Sequence, residues 1–548
     1  MKRARAAIVL ALVVGVRIAI DVATLVGDPT RYQQWEEAYN ATVALWAWNG
    51  LPPEAFLALQ YKSFCGGCSV VSAIGTPLLG VFGDRMLAWK GVPLLWTAAT
   101  MAVGFVAIDR HAGRAAAWAF AALFALPPTG LVDLSLIAWG NHVETTLLVL
   151  AMAALTSRPG ALGALASAAA WFGRTSLYGA AVWVPIALAR TGRLRCLLGL
   201  AAGALLFAIP AGSGDAGLYE FDRLLPDGWS GAARRAAALL SPADLHQRAF
   251  PMLPEGQIAA GMLLAAAAIG VACVAVDRDR KRLPFVAMAA TFAGVFCLGG
   301  FALLPMGPGS LPMNGRYHAP WLALLLVVTA AGAGPWLARG GARRAIGALA
   351  ILLALSASAW GAVHRFSGWR PDEGVARRGA TDTPRLVVFA GDRLPARILA
   401  PFHADDPDVE AAVRAAEGLA RAREAVHRGE TRDEVLHGLE PAVLLGAGLA
   451  FAARPISDAD VAKTNRWLAA LPPASAEALG TGMGANLGFA LALGPNATDV
   501  SGATTAAVAR LRDGVPEGKP CWLCVAAGRT AASGCGAWRP TPPPSLPA

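Results

Sequence analysis

Long apolar stretches recur over the first two thirds of the chain, each closed by a short polar or cationic break. Runs of near-spanning length lie at 7–26, 87–108, 115–134, 143–157, 160–173, 176–190, 195–211, 257–276, 284–305, 319–338 and 344–362. A helix needs about 20 apolar residues to cross a bilayer, so the pattern predicts about eleven crossings. Runs 160–173 and 176–190 are short and separated only by Phe172-Gly173-Arg174-Thr175, so a broken hairpin is the alternative there. After Val363 the apolar runs shorten. A strand-like 385–389 (RLVVF) is followed by helix-like stretches near 408–428, 438–453, 457–471, 474–493 and 500–513. The expected architecture is an all-α polytopic membrane protein. It has a transmembrane domain over 1–362, a mainly helical domain over 363–537 and a disordered proline-rich tail over 538–548.

Composition agrees with this pattern. Hydrophobic residues make up 55% and charged residues 15% of 548 positions, with a mean hydropathy of +0.48, too apolar for a soluble enzyme of this size. The formal net charge of +10 does not mark a nucleic-acid partner. Beyond Val363 about 20 Lys and Arg are matched by about 20 Asp and Glu, so the excess lies in the apolar region. There it sits in short clusters: Lys2/Arg3/Arg5, Arg110/Arg114, Arg158, Arg190/Arg193/Arg195, Arg278/Arg280/Lys281/Arg282 and Arg339/Arg343/Arg344. With about eleven crossings all of them fall on one side, which the positive-inside rule makes the cytoplasm. The segment 27–85, the turns at 135–144 and 306–318, the loop at 212–257 and the C-terminal domain then face the extracytoplasmic side. The Ala-, Arg- and Gly-rich composition points to a bacterial inner membrane.

Within the first run, Arg17 and Asp21 stand four residues apart on one helical face, where they can pair. Charges inside a span are rare enough to be functional candidates as well. The run is long and lacks an obvious small-residue cleavage site, so a retained helix is expected rather than a signal peptide. Cys65 and Cys68 (CGGC), Cys521, Cys524 and Cys535 fall on the oxidising side, where disulfides form. Two CxxC pairs also have zinc spacing, which is less suited to that compartment.

The polar, aromatic stretch at 27–50 holds Glu36, Glu37 and Tyr39 about ten residues past the first run. A carboxylate there can stay ionised at the water interface and still face reactants carried in lipid; a plain solvated loop is the bland alternative. Further along stand His142-Val143-Glu144 at a helix start, and Arg174, Arg316 and Tyr317 at polar breaks on the same side.

The order of these features from Trp35 to about Leu155 resembles the GT-C membrane glycosyltransferases, the superfamily that includes protein O-mannosyltransferases and lipid A aminoarabinose transferases. The resemblance rests on Glu36-Glu37-Ala38-Tyr39, on Leu78-Leu79-Gly80-Val81-Phe82-Gly83-Asp84-Arg85-Met86-Leu87-Ala88, on Asp109-Arg110-His111-Ala112-Gly113-Arg114, on Pro127-Pro128 and on His142-Val143-Glu144 with Leu147-Leu148. Late in the membrane region, Arg316-Tyr317-His318-Ala319-Pro320 is similar to an Arg-Tyr-x-x-P element. The likeness covers about two thirds of the chain and leaves the C-terminal domain unaccounted for. One departure stands out: Glu36 occupies the position usually held by Asp.

The resemblance implies transfer of a sugar from a polyprenyl-phosphate donor to a cell-envelope lipid, glycan or protein acceptor outside the cytoplasm. Such a reaction needs a carboxylate to take the proton of the acceptor hydroxyl. Glu36 is the first candidate and Glu37 its rival. It also needs fixed positive charge for the departing phosphate, for which Arg316 and Arg174 are suited by their planar paired donors; a snorkelling interfacial anchor is the alternative for Arg316. Tyr39 and Tyr317 belong to the same motifs and are expected to bind substrate with them. His142 and Glu144 could orient the acceptor or, with Glu36, hold a divalent cation, though nothing forces a metal, and Glu144 could equally cap its helix. No other cofactor is called for. The competing class is a glycolipid transporter or flippase without transferase activity, which should show internal repeats and two-sided access.

Overall fold

A computed structural model describes residues 2–27, 35–53, 66–83, 86–211, 228–299, 315–367, 407–428 and 458–480, less 190, 191 and 252, together with a few isolated positions. The described residues contain helices and no strands. The main helices are α1 (Lys2–Gly27), α2 (Trp35–Trp48), α3 (Gly66–Phe82), α4 (Gly91–Ala112), α5 (Arg114–Ala125), α6 (Thr129–Ser135), α7 (Thr145–Ala154), α8 (Pro159–Phe172), α9 (Leu177–Leu188) and α10 (Arg193–Ala211). They continue as α11 (Gly228–Leu240), α12 (Pro242–Ala249), α13 (Gly256–Asp277), α14 (Leu283–Leu298), α15 (Ala319–Leu337), α16 (Gly341–Phe366), α17 (Pro407–Arg428) and α18 (Asp458–Ala470).

Among the described residues every apolar run of the membrane region falls on a helix or helix pair, and these differ in length. Among the described residues five helical stretches, 4–27, 87–112, 256–277, 316–337 and 341–366, are long and apolar enough to cross a membrane. A sixth is reached if α5 and α6, bent by 78° at Pro127-Pro128, form one broken span. Proline lacks the N–H that would continue the ladder, which accounts for the break. Helices α7, α8, α9 and α14 have 10–17 residues. At 1.5 Å per residue they fall short of a hydrocarbon core about 30 Å thick. Among the described residues five or six long apolar helices are thus present, with shorter apolar ones packed among them; the expected eleven crossings are not all represented by helices of spanning length there. The segment 27–85, expected as a loop, contains α2 and α3, the latter an apolar helix with Pro77 inside it.

The described chain divides into two compact units: Met1–Gln33, Lys62–Val71 and Trp89–Thr383 form the first, Gln34–Tyr61, Ser72–Ala88 and Pro384–Ala548 the second. The first is built around α15, whose apolar window is 89% buried against 11% for that of α1. A helix apolar on every side is the one a bundle buries. Small residues let its backbone meet the neighbours closely: a Cβ on Gly332 would fall 2.1 Å from the carbonyl oxygen of Gly270 on α13. Buried cations find acceptors. Lys90 Nζ donates to Leu136 O at 2.9 Å and Arg235 Nε to Cys297 O at 2.9 Å.

In the second unit, α2 and the part of α3 from Ser72 onward lie side by side. Ser72 Oγ donates to Asn40 O at 2.8 Å, and the ring of Trp48 packs where a Cβ on Gly80 would stand. Helix α17 carries an ion-pair row in which Arg414 meets Glu410 at 2.9 Å and also Glu417. The expected helices at 408–428 and 457–471 correspond to α17 and α18, and 473–480 is helical as well. The stretches at 385–389, 500–513 and 538–548, and most of 438–453, lie outside the described residues.

Candidate functional site

The cationic loops of the first unit gather at one end. His111, closing α4, contacts Ala153 O at 3.0 Å and the Phe285 ring at 5.8 Å, and a Cβ on Gly334, late in α15, would touch Ala116, early in α5. These contacts bring together the chain near 109–116, 153–158, 283–285 and 334–339. Helices α7 and α15 start at the opposite end, and the predicted residues His142, Glu144, Arg316 and Tyr317 collect there.

The turn between α6 and α7 carries Trp139-Gly140-Asn141-His142. Gly140 has φ +89°, a left-handed conformation that glycine adopts without strain. A second glycine makes room for it: a Cβ on Gly67 would lie 1.5 Å from Gly140 O. The glycines of the CGGC stretch are therefore packing residues, with Gly66 facing the Trp171 ring in the same way. Cys68 is disulfide-bonded, and Cys65, Cys521, Cys524 and Cys535 lie outside the described residues. Cys196, Cys273 and Cys297 are free.

Glu144 closes this turn from within. Its Oε1 accepts the N–H of Gly140 at 3.0 Å and its Oε2 that of His142 at 3.2 Å, while its backbone oxygen accepts Trp96 Nε1 at 3.0 Å. Both carboxylate oxygens are engaged by the backbone, so Glu144 shapes the turn that presents His142. Glu144 precedes α7 and lies outside the long spans. Burial pushes its carboxyl up to about 7, against the opposing pull of the backbone donors at Gly140 and His142.

His142 is buried, its ring 4.9 Å from Tyr317 and 5.8 Å from Trp139, edge to face in both pairs. The guanidinium of Arg316 stands 5.0 Å from the Tyr317 ring centre and 5.6 Å from that of Trp139. Its Nη2 also donates to the Tyr317 hydroxyl at 3.2 Å. Two aromatic rings thus flank the guanidinium. Trp139 is not among the candidates named from the sequence, although a Trp-Gly pair just ahead of His142 in a polar junction is a visible signal.

Arg174 opens a short 3-10 turn, Arg174–Ser176, tied to the same loop. Thr175 Oγ1 donates to Asn141 O, and Gly173 abuts Asn141 where no Cβ would fit. The Arg174 side chain lies outside the described residues, as does that of Glu36. In the second unit, Glu36, Glu37 and Tyr39 occupy the first turns of α2, with Glu37 and Tyr39 buried. Among the described residues no three His, Cys, Asp or Glu side chains converge as a metal would require.

The charges within α1 are paired: Arg17 Nε donates to Asp21 Oδ1 at 2.9 Å, and Arg17 also donates to Ser135 Oγ and to Phe124 O. Nearby, Arg365 closes on Asp133 at 2.8 Å. A small cavity beside Glu144 is lined by Arg17, Trp96, Thr97, Thr100, Ser135 and Thr146, among others.

Fold and site together define a helical membrane protein with an arginine-aromatic cluster at one end of its bundle. No known protein family, no curated protein and no solved structure matches the chain.

Proposed function

We propose that this protein is a membrane glycosyltransferase of GT-C type, which moves a sugar from a polyprenyl-phosphate donor to an envelope acceptor on the extracytoplasmic face. The observation that carries this reading is the Arg316 guanidinium between Trp139 and Tyr317, next to His142, at the end of the bundle remote from the cationic loops. The positive-inside rule puts those loops in the cytoplasm and the cluster on the outer side, where the C-terminal domain would also lie.

In the reaction the acceptor hydroxyl oxygen bonds to the anomeric carbon, and the bond from that carbon to the phosphate oxygen breaks. The electron pair leaves with the phosphate. Arg316, a planar cation that keeps its charge beside lipid, takes up the growing negative charge on the phosphate. Trp139 and Tyr317 fix the guanidinium, and Glu144 fixes the turn bearing His142, so little reorganisation is needed as charge develops. A carboxylate receives the acceptor proton; the likeness assigns this to Glu36, with Glu37 as the other candidate.

Purified protein in sealed vesicles, supplied with radiolabelled polyprenyl-phosphate sugar and an envelope extract, tests the proposal. Label should appear in an acceptor fraction, and Arg316→Ala should abolish its transfer. Label that crosses the bilayer still attached to its lipid would mark a flippase instead, and label that does neither would also overturn the reading.

A further inference from the structure

At the cationic end of the bundle, two loops far apart in sequence are clamped together. Asp277, at the end of α13, accepts Arg339 Nη1 at 2.6 Å, Trp336 Nε1 at 2.7 Å and Arg282 Nη2. Arg282 in turn donates from Nε to Asp279 at 2.9 Å and from Nη1 to Gly332 O at 3.1 Å. Both carboxylates of this region, Asp277 and Asp279, are therefore consumed inside the clamp.

The clamp leaves an excess of charge on its outer face. Arg278, Arg280, Lys281, Arg343 and Arg344 are all exposed, and among the described residues no ion pair engages them. Arg343 and Arg344 lie in the first turn of α16, which contains no acidic residue and where the helix field disfavours cations. Arg343 rests over the Trp336 ring at 5.7 Å. Arg344 Nε donates to Leu337 O at 3.2 Å and Arg339 O at 2.9 Å, which leaves its terminal nitrogens for another acceptor. Arg278 caps α13 at φ +50°, a left-handed position that glycine fills more readily. Scattered charges in separate loops would satisfy a topological bias equally well; here buried bonds bring them to one place.

Apolar surface continues from the cations along the same helices. Val276, Leu283, Ile346 and Leu349 are exposed large hydrophobics within about two turns of them. A clustered positive rim above an exposed apolar wall complements an amphiphile with anionic oxygens at one end and hydrocarbon at the other. Five cations spread over two loops exceed what one phosphate can engage.

We propose that the face formed by Arg278, Arg280, Lys281, Arg343 and Arg344 binds the headgroup of an anionic phospholipid carrying two phosphates, its chains lying against Val276, Ile346 and Leu349. This proposal does not depend on the sugar-transfer reading.

The test uses the full chain purified in mild detergent and stripped of lipid. Binding of cardiolipin, phosphatidylglycerol and phosphatidylcholine is followed by native mass spectrometry and by the shift in unfolding temperature. Cardiolipin should bind most tightly and phosphatidylcholine least. The variant Arg280→Ala/Lys281→Ala/Arg343→Ala/Arg344→Ala, whose replaced side chains are all exposed, should lose cardiolipin affinity at least tenfold. Arg193→Ala/Arg195→Ala, altering another cationic loop, should not. Equal binding of cardiolipin and phosphatidylcholine, or unchanged affinity in the quadruple variant, would overturn the proposal. Full displacement of cardiolipin by millimolar inorganic phosphate would also overturn it, because the site would then read a free anion rather than a lipid. If the quadruple variant fails to fold, the single variants Arg280→Ala and Arg343→Ala decide: each must weaken cardiolipin binding, and unchanged binding in both contradicts the proposal.

Discussion

The carboxylate of Glu144 accepts the backbone N–H of His142 at 3.2 Å and that of Gly140 at 3.0 Å, so one acid spans the turn that carries the ring. A glutamine there offers one acceptor oxygen and a donor NH2 in place of the second. Glu144→Gln should leave one buried N–H unsatisfied, at a cost of about 1–3 kcal/mol. A lowered unfolding temperature and a raised KM for donor, with kcat less affected, would express the loss. Unchanged stability would mean that the two bonds are dispensable.

The same residue sets a pH dependence. Its carboxyl rises from 4.5 to about 7 on folding, so between those values the folded state binds more protons than the unfolded. Its contribution to stability is therefore fullest below about pH 4.5 and is lost as pH rises through about 7. Thermal unfolding of the wild type and of Glu144→Gln between pH 4.5 and 8 isolates this effect. The wild type should lose stability relative to the variant as pH rises across that window, and parallel curves would contradict the assignment.

Arg17 and Asp21 form a pair buried within α1. Removing one partner strands a charge in a dry interior, which costs about 3–5 kcal/mol. Arg17→Met and Asp21→Leu should each destabilise the protein by that order, and the double replacement should recover part of the loss. A double-mutant cycle in which the two effects simply add would show that the pair is not coupled.

Gly67 and Gly15 make a matched contrast. A Cβ on Gly67 would lie 1.5 Å from Gly140 O, whereas Gly15 in α1 has nothing within 4 Å. Gly67→Ala should displace the Trp139–His142 turn and lower both stability and activity. Gly15→Ala should be neutral or stabilising by up to about 1 kcal/mol, since alanine is the better helix former. Comparable losses in both variants would refute the packing argument.

Much of the helical layout was legible from apolar periodicity, because a run such as 319–338 is hydrophobic on all faces and has only one place to go. Length was harder to read. A run of 143–157 looks near-spanning in sequence, yet the bonds from Gly140 and His142 to Glu144 turn its first residues into a loop and leave ten in α7. Helices α2 and α3 are hard to see in the sequence because Glu36 and Glu37 open the first and CGGC the second, signals of a polar loop. At the candidate site, His142, Arg316 and Tyr317 stand out in the sequence by residue type and by their place at polar breaks. The placement of Trp139 and the hydrogen bonds of Glu144 depend on a turn held by Gly140, and single residues do not announce such a turn.

The most direct measurement is single-turnover transfer of radiolabelled sugar by Glu36→Gln and Glu37→Gln, with donor binding determined in parallel. Glu36→Gln should bind donor as the wild type does and transfer no label, while transfer lost only in Glu37→Gln would pass the role to the neighbouring acid. Wild-type turnover in both variants would contradict the account.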